Sequence, residues 1–358
     1  MSGTDPEAPR AAVLGTGAWG TAFAAVLADA GCPVTMWGVA EDVCAEITTA
    51  HTNGGYLPDA VLPPQVRATT DPAEALAGAE VVAIAIPAQV ARSALEPLAG
   101  LLEPSAVAVS LMKGVELTSH RRMSEVLAQA LRLPDERIAV VSGPNLAREI
   151  AAHQPTATVV ASTHAPTADL VARACANPYF RPYTNTDVVG VELCGAVKNV
   201  IALAVGIAHG SGYGTNTVAT VITRGLVEMT RLGLALGADQ ETFAGLAGMG
   251  DLVATCVSPL SRNHTLGTHM GQGMSLDQAI RATGGTAEGV KTSESVRELA
   301  ATVGVEMPIT EAVVQVLHHG LPIDKMAEML LARPRKAEGV RTDRADGADP
   351  AQPTARRA

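Results

Sequence analysis

Short apolar runs alternate with longer amphipathic stretches over the first half of the chain, beginning at Ala11. Apolar runs of this length, bounded by Gly, Pro and polar residues, are typical of buried parallel strands. Strands are predicted at Ala11–Gly15, Pro33–Trp37, Val66–Thr70, Glu80–Ile86, Ala106–Met112 and Ile138–Ser142. A helix is predicted over Thr21–Ala30, and Asp71 with Pro72 is predicted to open another. Strands that alternate with helices indicate a parallel sheet covered by helices on both faces.

The pattern changes after about residue 187, where apolar positions recur at helical spacing and no strand is predicted. Helices are predicted at Leu193–Ala208, Val218–Leu236, Leu276–Ala282, Ser293–Ala301 and Thr310–Leu317. Ser275 and Gln278 form a capping-box pattern before one of them. The predicted fold class is an α/β, Rossmann-like doubly wound sheet followed by an all-α domain.

The predicted domain organisation follows from these two patterns. It comprises a flexible tail at 1–10, the α/β domain at 11–187, the helical domain at 188–334 and a disordered tail at 335–358. The last segment is charged, rich in Ala, Gly and Pro, and lacks apolar periodicity, which is typical of disorder.

Composition narrows the class of protein. The 358 residues are 47% hydrophobic, enough for a large core, and carry a formal net charge of −10, which argues against a general nucleic-acid binder. Five widely spaced cysteines without a C-x-x-C pair predict buried, reduced thiols. The N-terminus lacks a signal-peptide core, and the longest apolar stretch, Val200–Ala208, is too short to span a bilayer. We therefore expect a cytoplasmic protein without stable membrane insertion.

A glycine-rich turn follows the first predicted strand. Gly15, Gly17 and Gly20 fit the G-x-G-x-x-G pattern between that strand and a helix. These glycines would allow a tight turn, the approach of a pyrophosphate to the backbone, and close helix–strand packing. The context favours dinucleotide binding over a purely structural turn. The second strand ends in Trp37-Gly38-Val39 without the acid or arginine that would select NAD or NADP, so the choice between them stays open.

One lysine interrupts the apolar helix predicted over Leu193–Ala208. Burial of Lys198 would lower its pKa toward neutrality, as a general acid or base requires. The alternative is a lysine whose head reaches solvent past the apolar surface.

Three other segments carry candidate chemistry. Asp251, in a glycine-rich turn, could orient Lys198 or serve as an ordinary helix cap. Ser261, Arg262 and Asn263 open a predicted helix, where hydroxyl, guanidinium, amide and free N–H groups suit a phosphate; the alternative is ordinary capping with a solvated arginine. Lys113 ends an apolar strand, at the edge where open α/β sheets bind ligands.

The ensemble resembles the bacterial NAD(P)-dependent glycerol-3-phosphate dehydrogenases from about Val13 to Pro322. The matching segments are GTGAWGTAFA (15–24), YLPDAVLP (56–63), LMKGVE (111–116), SGPNLAREI (142–150), GVELCGAVKNVIALAVGI (190–207), TRGLVEM (223–229), TFAGLAGMGDLVATC (242–256), SRN (261–263), AEGVKT (287–292) and MPIT (307–310). The family interconverts sn-glycerol 3-phosphate and dihydroxyacetone phosphate for glycerophospholipid synthesis.

The resemblance implies a role for each matched residue. Lys198 and Asp251 are implied to be catalytic. The residues implied to bind substrate are Lys113, Gly143, Asn145, Lys198, Asp251, Ser261, Arg262 and Asn263. Those implied to bind NAD or NADP are Gly15, Gly17, Ala18, Trp19, Gly20, Lys113, Ala147, Arg262 and Glu288. Asn145 replaces the Ser or Thr expected after SGP, and Val39 replaces an Arg or His carried by many members, which weakens the case for NADP.

Two alternatives stay open. A dehydrogenase of similar build could act on a β-hydroxyacid, which needs no phosphate site, and a binding protein could sense dinucleotides without catalysis. No metal is expected, because the nine histidines show no ligand spacing such as H-E-x-x-H. The apolar second half and the resemblance favour a homodimer that acts on a small phosphate substrate.

Overall fold

Residues 8–284 and 287–332 are described by a computed structural model of the chain. The strands are β1 (Ala11–Leu14), β2 (Val34–Trp37), β3 (Thr52–Asn53), β4 (Leu57–Val61), β5 (Val66–Thr69), β6 (Val81–Ile84), β7 (Val107–Ser110), β8 (Ile138–Ser142), β9 (Thr156–Ala161) and β10 (Phe180–Asn185). Most of the predicted N-terminal tail and all of the tail predicted at 335–358 lie outside the described residues.

Helices fall into two groups, one on each side of residue 187. The first group is α1 (Ala18–Asp29), α2 (Glu41–Ala50), α3 (Pro72–Leu76), α4 (Ala91–Leu95), α5 (Met123–Leu131), α6 (Ala147–Ala151) and α7 (Ala165–Cys175). The second is α8 (Val188–Gly210), α9 (Thr215–Ala235), α10 (Gln240–Ala244), α11 (Asp251–Val257), α12 (Arg262–Gly271), α13 (Leu276–Ala282), α14 (Glu288–Thr302), α15 (Pro308–His318) and α16 (Ile323–Leu331).

The main sheet has eight strands in the order β10-β9-β8-β7-β6-β1-β2-β5. β1 pairs in parallel with both β2 and β6, and the pairing stays parallel through β7 to β8. All six predicted strands are confirmed, with the same or slightly narrower bounds. The carboxyl ends of these parallel strands therefore meet at one edge of the sheet, where ligands bind in this fold class.

Two strands at one side of the sheet, and the β3–β4 hairpin, are absent from the sequence prediction. β9 runs antiparallel to β8, so the sheet is mixed at this side, beyond the six predicted strands, which all pair in parallel. The segment between β8 and β9 holds only the five-residue helix α6, and the chain turns back without the long crossover that a parallel pair needs. β10 contains Pro182, which is tolerated because β10 is an edge strand.

Helices cover both faces of the sheet. Along β1, Ala11 and Val13 belong to the core on one face, whereas Ala12 and Leu14 belong to the core on the other. This alternation follows from the two-residue period of a strand, and it explains why a strand buried on both faces is apolar throughout. The five cysteines are buried and unpaired, as predicted.

The helical half is built around α8, which is buried on nearly every side. The helix extends beyond the predicted Leu193–Ala208 because the side chain of Asp187 accepts a hydrogen bond from Gly190 N at 2.8 Å and caps its start. Among the described residues, α8 is the one helix long and apolar enough to cross a membrane by length and composition. Its core position accounts for that composition, since 94% of its most apolar window is buried inside the protein.

Glycines allow α12 to lie directly against α8. A Cβ atom on Gly206 of α8 would overlap the His264 carbonyl, and one on Gly267 of α12 would overlap the Leu203 carbonyl. The two backbones are therefore in contact without intervening side chains. This close approach holds α12 against the second half of α8, whose contact begins at Leu203, five residues after Lys198.

Candidate active site

The glycine-rich turn joins β1 to α1 at the carboxyl edge of the sheet. Gly15 has a φ of +119°, and a Cβ there would lie 2.6 Å from the Ala85 carbonyl oxygen. A Cβ on Gly20 would overlap the Gly15 carbonyl, so both positions require glycine for the packing of the turn. By contrast, a Cβ on Gly17 would meet no atom within 4 Å. Gly17 therefore leaves open space in front of the helix.

This open space lies at the N-terminus of α1. Gly17 caps the helix without any side-chain hydrogen bond, so the first backbone N–H groups are available to an anion. Ala18, Trp19 and Ala147 are each half-buried against the same sheet core, and the helices that carry them, α1 and α6, are in contact. The indole Nε1 of Trp19 is buried and has no hydrogen-bond partner among the described residues. The three predicted positions are thus brought to one surface.

A second group of predicted residues meets at the same edge of the sheet, around Asp251. Lys198 Nζ lies 2.5 Å from Asp251 Oδ1, and Lys113 Nζ lies 2.7 Å from Asp251 Oδ2. Lys113 Nζ also donates to the Gly143 carbonyl at 3.2 Å. One carboxylate therefore bridges two ammonium groups that come from the sheet and from α8. We call Lys113, Lys198 and Asp251 the lysine cluster.

Burial controls the electrostatics of the lysine cluster. Lys198 is 5% exposed and Asp251 is 1% exposed. Burial lowers the pKa of Lys198 from its usual 10.5 to about 7; the Asp251 carboxylate raises it, and the charge of Lys113 lowers it further. The amine therefore titrates where it can both donate and accept a proton near neutral pH. The alternative of a lysine head in solvent is excluded.

Sequence reasoning missed Thr255, which belongs to the same site. Its Oγ1 accepts a hydrogen bond from Lys198 Nζ at 2.8 Å and donates to the Asp251 carbonyl at 2.6 Å. A signal was available, because Asp251 and Thr255 are four residues apart on α11 and share a helix face. A short π-helical segment, Leu246–Gly250, precedes α11 and sets where Asp251 starts the helix.

The start of α12 carries the predicted phosphate residues. Ser261 caps the helix and accepts from His264 N at 3.2 Å, so its hydroxyl oxygen is engaged in capping. Asn263 accepts from Gly289 N at 2.9 Å, which ties the start of α12 to the start of α14. Arg262 is exposed. Among these three residues, the guanidinium of Arg262 is thus the group most open to a ligand.

Glu288, at the start of α14, interacts electrostatically with both Arg262 and the lysine cluster. Burial raises the pKa of its carboxyl, and the positive charges of Arg262, Lys113 and Lys198 oppose that rise.

Asn145 donates to Thr158 Oγ1 at 2.9 Å, while its own side-chain oxygen is buried without a partner among the described residues. Asn145 thus has an unused acceptor close to Gly143.

Fold and site together define a class of protein. A dinucleotide-type turn and a buried lysine–carboxylate pair at one edge of an α/β sheet are the parts of a two-domain, nucleotide-dependent oxidoreductase. Models of two consecutive protein domains match this chain: the NAD-dependent glycerol-3-phosphate dehydrogenase N-terminus at residues 10–168 and the C-terminus of the same enzyme at residues 187–328.

Relatives agree with these two matches. The chain is 59% identical to glycerol-3-phosphate dehydrogenase [NAD(P)+] of Streptomyces griseus over 329 residues, which cover 92% of this chain and 98% of the relative. The corresponding protein of Thermobifida fusca is also 59% identical, over 90% of this chain and 96% of its own length. The crystal structure of glycerol-3-phosphate dehydrogenase from Coxiella burnetii superposes with a TM-score of 0.87 at 37% identity, covering 92% of this chain and all of that one. The chain belongs to the NAD-dependent glycerol-3-phosphate dehydrogenase family.

Proposed function

We propose that this protein is a glycerol-3-phosphate dehydrogenase that uses NAD(P)H to reduce dihydroxyacetone phosphate to sn-glycerol 3-phosphate, and catalyses the reverse oxidation. The observation that carries the proposal is the lysine cluster, in which the buried amine of Lys198 lies 2.5 Å from Asp251 Oδ1 at the ligand edge of the sheet. The product is a precursor of glycerophospholipids.

The residues present fit a bound dinucleotide. Gly17 leaves open space at the N-terminus of α1, and the Trp19 indole has an unpaired buried N–H beside it. Gly15, Gly17, Ala18, Trp19, Gly20 and Ala147 would hold the dinucleotide, with Lys113, Arg262 and Glu288 toward its nicotinamide end. When bound, the nicotinamide supplies the hydride.

Lys198 serves as the proton donor in the reduction. Its protonated amine donates to the substrate oxygen as negative charge develops there, and its neutral form accepts that proton in the oxidation. Asp251 fixes the amine through the 2.5 Å contact, and Thr255 fixes it from a second direction. A pKa near neutrality allows both directions within the physiological pH range.

Lys113 and the start of α12 provide the anion-binding groups. Lys113, Arg262, Asn263 and the N-terminus of α12 would bind the phosphate and position the carbonyl toward Lys198. Gly143 and Asn145 would line the space between Lys113 and the start of α12. Ser261 would keep the start of α12 in place. Binding the phosphate at a distance from the reacting carbon is what orients a small substrate.

The wider assignments belong to the same proposal. The α/β domain is proposed to end at residue 187 and the helical domain to extend over 188–334. We also propose a homodimer in the cytoplasm, supported by the exposed apolar side chains of Met249, Val253 and Val257, which lie four residues apart on or just before α11.

A substrate panel tests the proposal. NADH and NADPH oxidation is measured with dihydroxyacetone phosphate and with a β-ketoacid, for the wild type, Lys198→Met and the control Lys325→Met. Lys198→Met keeps the apolar stem and removes the amine, whereas Lys325 is half-exposed on α16. We expect turnover of the phosphate substrate only, falling about 10³-fold in Lys198→Met, the size expected for loss of an acid–base group, with Lys325→Met unchanged. Turnover of the β-ketoacid alone would replace this proposal with the alternative substrate class.

A further inference from the structure

We infer that this protein uses NADH in preference to NADPH and that the end of β2, at Val39, sets this preference. The inference rests on the dehydrogenase function proposed above and settles what that function leaves open, the choice of cofactor. It is carried by three observations: the position of the end of β2, the exposure of Val39, and the distribution of charge around it.

The end of β2 borders the glycine-rich turn directly. Gly15 N donates to the Trp37 carbonyl at 2.8 Å, and a Cβ on Gly38 would lie 2.6 Å from Thr16 Cγ2. In a dinucleotide-binding sheet the pyrophosphate lies on this turn and the adenosine ribose extends toward the end of the second strand. The residues that follow Trp37 are therefore the ones that face the ribose 2′ position, which carries a hydroxyl in NADH and a phosphate in NADPH.

No side chain in the segment 38–40 attracts a phosphate. Val39 is 87% exposed, and its neighbours Gly38 and Ala40 have no polar side chain. An arginine or lysine at this place would form a charge-assisted pair with the 2′-phosphate. The aliphatic side chain of Val39 instead presents a surface that offers neither a charge nor a hydrogen bond.

The charged side chains in the two segments next to the end of β2 are all carboxylates. Residues 38–50 contain Glu41, Asp42 and Glu46, residues 69–76 contain Asp71 and Glu74, and neither segment contains a lysine or an arginine. Trp37 Nε1 donates to the Thr70 carbonyl at 3.2 Å, which brings the second segment alongside the end of β2. A 2′-phosphate, with a charge of about −1.5 to −2 at pH 7, would meet these carboxylates without a cation from either segment. Arg67 of β5 pairs with Thr35, about 13 Å back along β2 from Val39 at about 3.3 Å per residue.

The N-terminus of α2 does not reverse this balance. A helix N-terminus attracts anions, but Glu41 and Asp42 already supply negative charge in the first turn of α2. Glu46 accepts hydrogen bonds from Gly54 N and Thr52 Oγ1, which lower the pKa of its carboxyl, so it adds a further negative charge on α2. Discrimination thus arises from repulsion of the phosphate, without an acid at position 39 to bind the 2′-hydroxyl.

The test compares NADH with NADPH in binding and in turnover. Dissociation constants are measured by calorimetry without substrate, and kcat/KM is measured with dihydroxyacetone phosphate. The variants are Val39→Arg and the control Gln65→Arg, which adds the same charge before β5. Gln65 precedes Val66, the partner of Val34, so it lies level with Pro33, roughly 20 Å from Val39 at about 3.3 Å per residue.

We expect the wild type to favour NADH at least about tenfold in both measurements, which corresponds to a difference of about 1.4 kcal/mol between the binding free energies of the two cofactors. Val39→Arg should narrow the ratio about tenfold or more, chiefly through tighter NADPH binding, and Gln65→Arg should leave it near the wild-type value. Added salt should also narrow the wild-type ratio, because the repulsion is screened.

The result that overturns the inference is equal or stronger binding of NADPH by the wild type, or a ratio that Val39→Arg does not change. Failure of the proposed function has a different signature. In that case neither cofactor is oxidised with dihydroxyacetone phosphate, while the calorimetric preference for NADH remains.

Discussion

The glycine-rich turn and the lysine cluster lie at the same edge of the sheet, but the turn relies on backbone without side chains at its three glycines, whereas the cluster consists of ionisable side chains. The turn uses backbone and open space, and its three glycines carry no side chain at all. The lysine cluster uses three ionisable side chains, which come from the end of β7, from α8 and from α11. The first construction suits a ligand whose charge is fixed. The second suits a reaction in which a proton has to move.

The two regions also differ in what holds them together. The turn is confined to six consecutive residues, and local packing against Ala85 fixes its shape. The contact between Lys113 and Asp251 joins residues 138 apart in the chain. The cluster therefore exists only once the sheet and the helical half are packed together, and its chemistry depends on the whole fold. Substitutions in the turn should therefore act locally, whereas substitutions in the lysine cluster should affect both the packing of the two halves and the chemistry.

The largest effect is expected from Asp251→Asn, which removes the charge that the two ammonium groups share. Loss of one partner of a buried ion pair costs about 3–5 kcal/mol of unfolding free energy, and we expect kcat to fall by about 10²–10⁴-fold. Because Asp251 raises the pKa of Lys198, its loss lowers that pKa further. Urea unfolding and steady-state kinetics measure the two losses, with the exposed Asp59→Asn as control.

The pH profile of the same variant has a defined sign. In the proposed mechanism the protonated Lys198 amine is needed for ketone reduction, so the wild-type rate should decline as the pH rises through about 7. In Asp251→Asn the decline should begin at lower pH. A profile that does not move, together with an unchanged kcat, would contradict the role of the lysine cluster. NADH binding by the folded variant should remain close to that of the wild type, because the turn is intact.

Much of this contrast between turn and cluster was readable from the sequence. The turn was predicted residue by residue, since its pattern is local and strand and helix flank it. Lys198 stood out as one charge in an apolar helix, whereas its contact with Asp251 was only a hypothesis from the sequence. Thr255 was missed, and so were β9 and β10. Neither strand carries the long apolar run of a central strand, and Pro182 in β10 argues against a strand unless its edge position is known.

An intermediate effect is expected from paired substitutions in the turn. Gly20→Ala places a Cβ against the Gly15 carbonyl, so we expect a loss of about 1–3 kcal/mol from overpacking together with weaker NADH binding. A Cβ on Gly17 meets no atom within 4 Å and φ is −74°, but alanine is less favourable than glycine at the N-cap of α1. These two effects oppose each other, so stability should stay close to that of the wild type while NADH binding weakens. Thermal unfolding and calorimetry measure the two effects.

The pair Gly17→Ala and Gly20→Ala tests the turn as a ligand site and not merely as a fold element. A turn that served packing alone would lose stability at Gly20 and nothing at Gly17. Weakened NADH binding in Gly17→Ala, at full stability, is the result that only a ligand in the open space explains. The kcat of both variants at saturating NADH should stay within about threefold of the wild type, because the lysine cluster is untouched. A larger change would mean that the turn and the lysine cluster are functionally coupled.

The smallest effect on catalysis is expected at Glu192, a second buried charge on α8. Its carboxylate accepts from Arg122 Nη1 at 2.6 Å, from Ser124 N at 2.7 Å and from Ser124 Oγ at 2.6 Å, so it is fully satisfied and ties α8 to the start of α5. Glu192 lies six residues before Lys198, about 9 Å along the helix. A satisfied ion pair at that distance fixes the position of α8 without taking part in the proton transfer.

Glu192→Gln should therefore lower stability and spare the chemistry. Burial raises the pKa of Glu192 against the opposing charge of Arg122, so desolvation offsets part of what the pair contributes. We expect a loss of about 1.5–2 kcal/mol, the lower part of the range for hydrogen bonds to charged groups, with kcat and the pH midpoint of reduction unchanged. Glu298→Gln, which removes an exposed partner of His120, serves as control. A tenfold fall in kcat at full stability would instead make Glu192 a positioning residue for Lys198, and the boundary of the catalytic region would then extend to the start of α8.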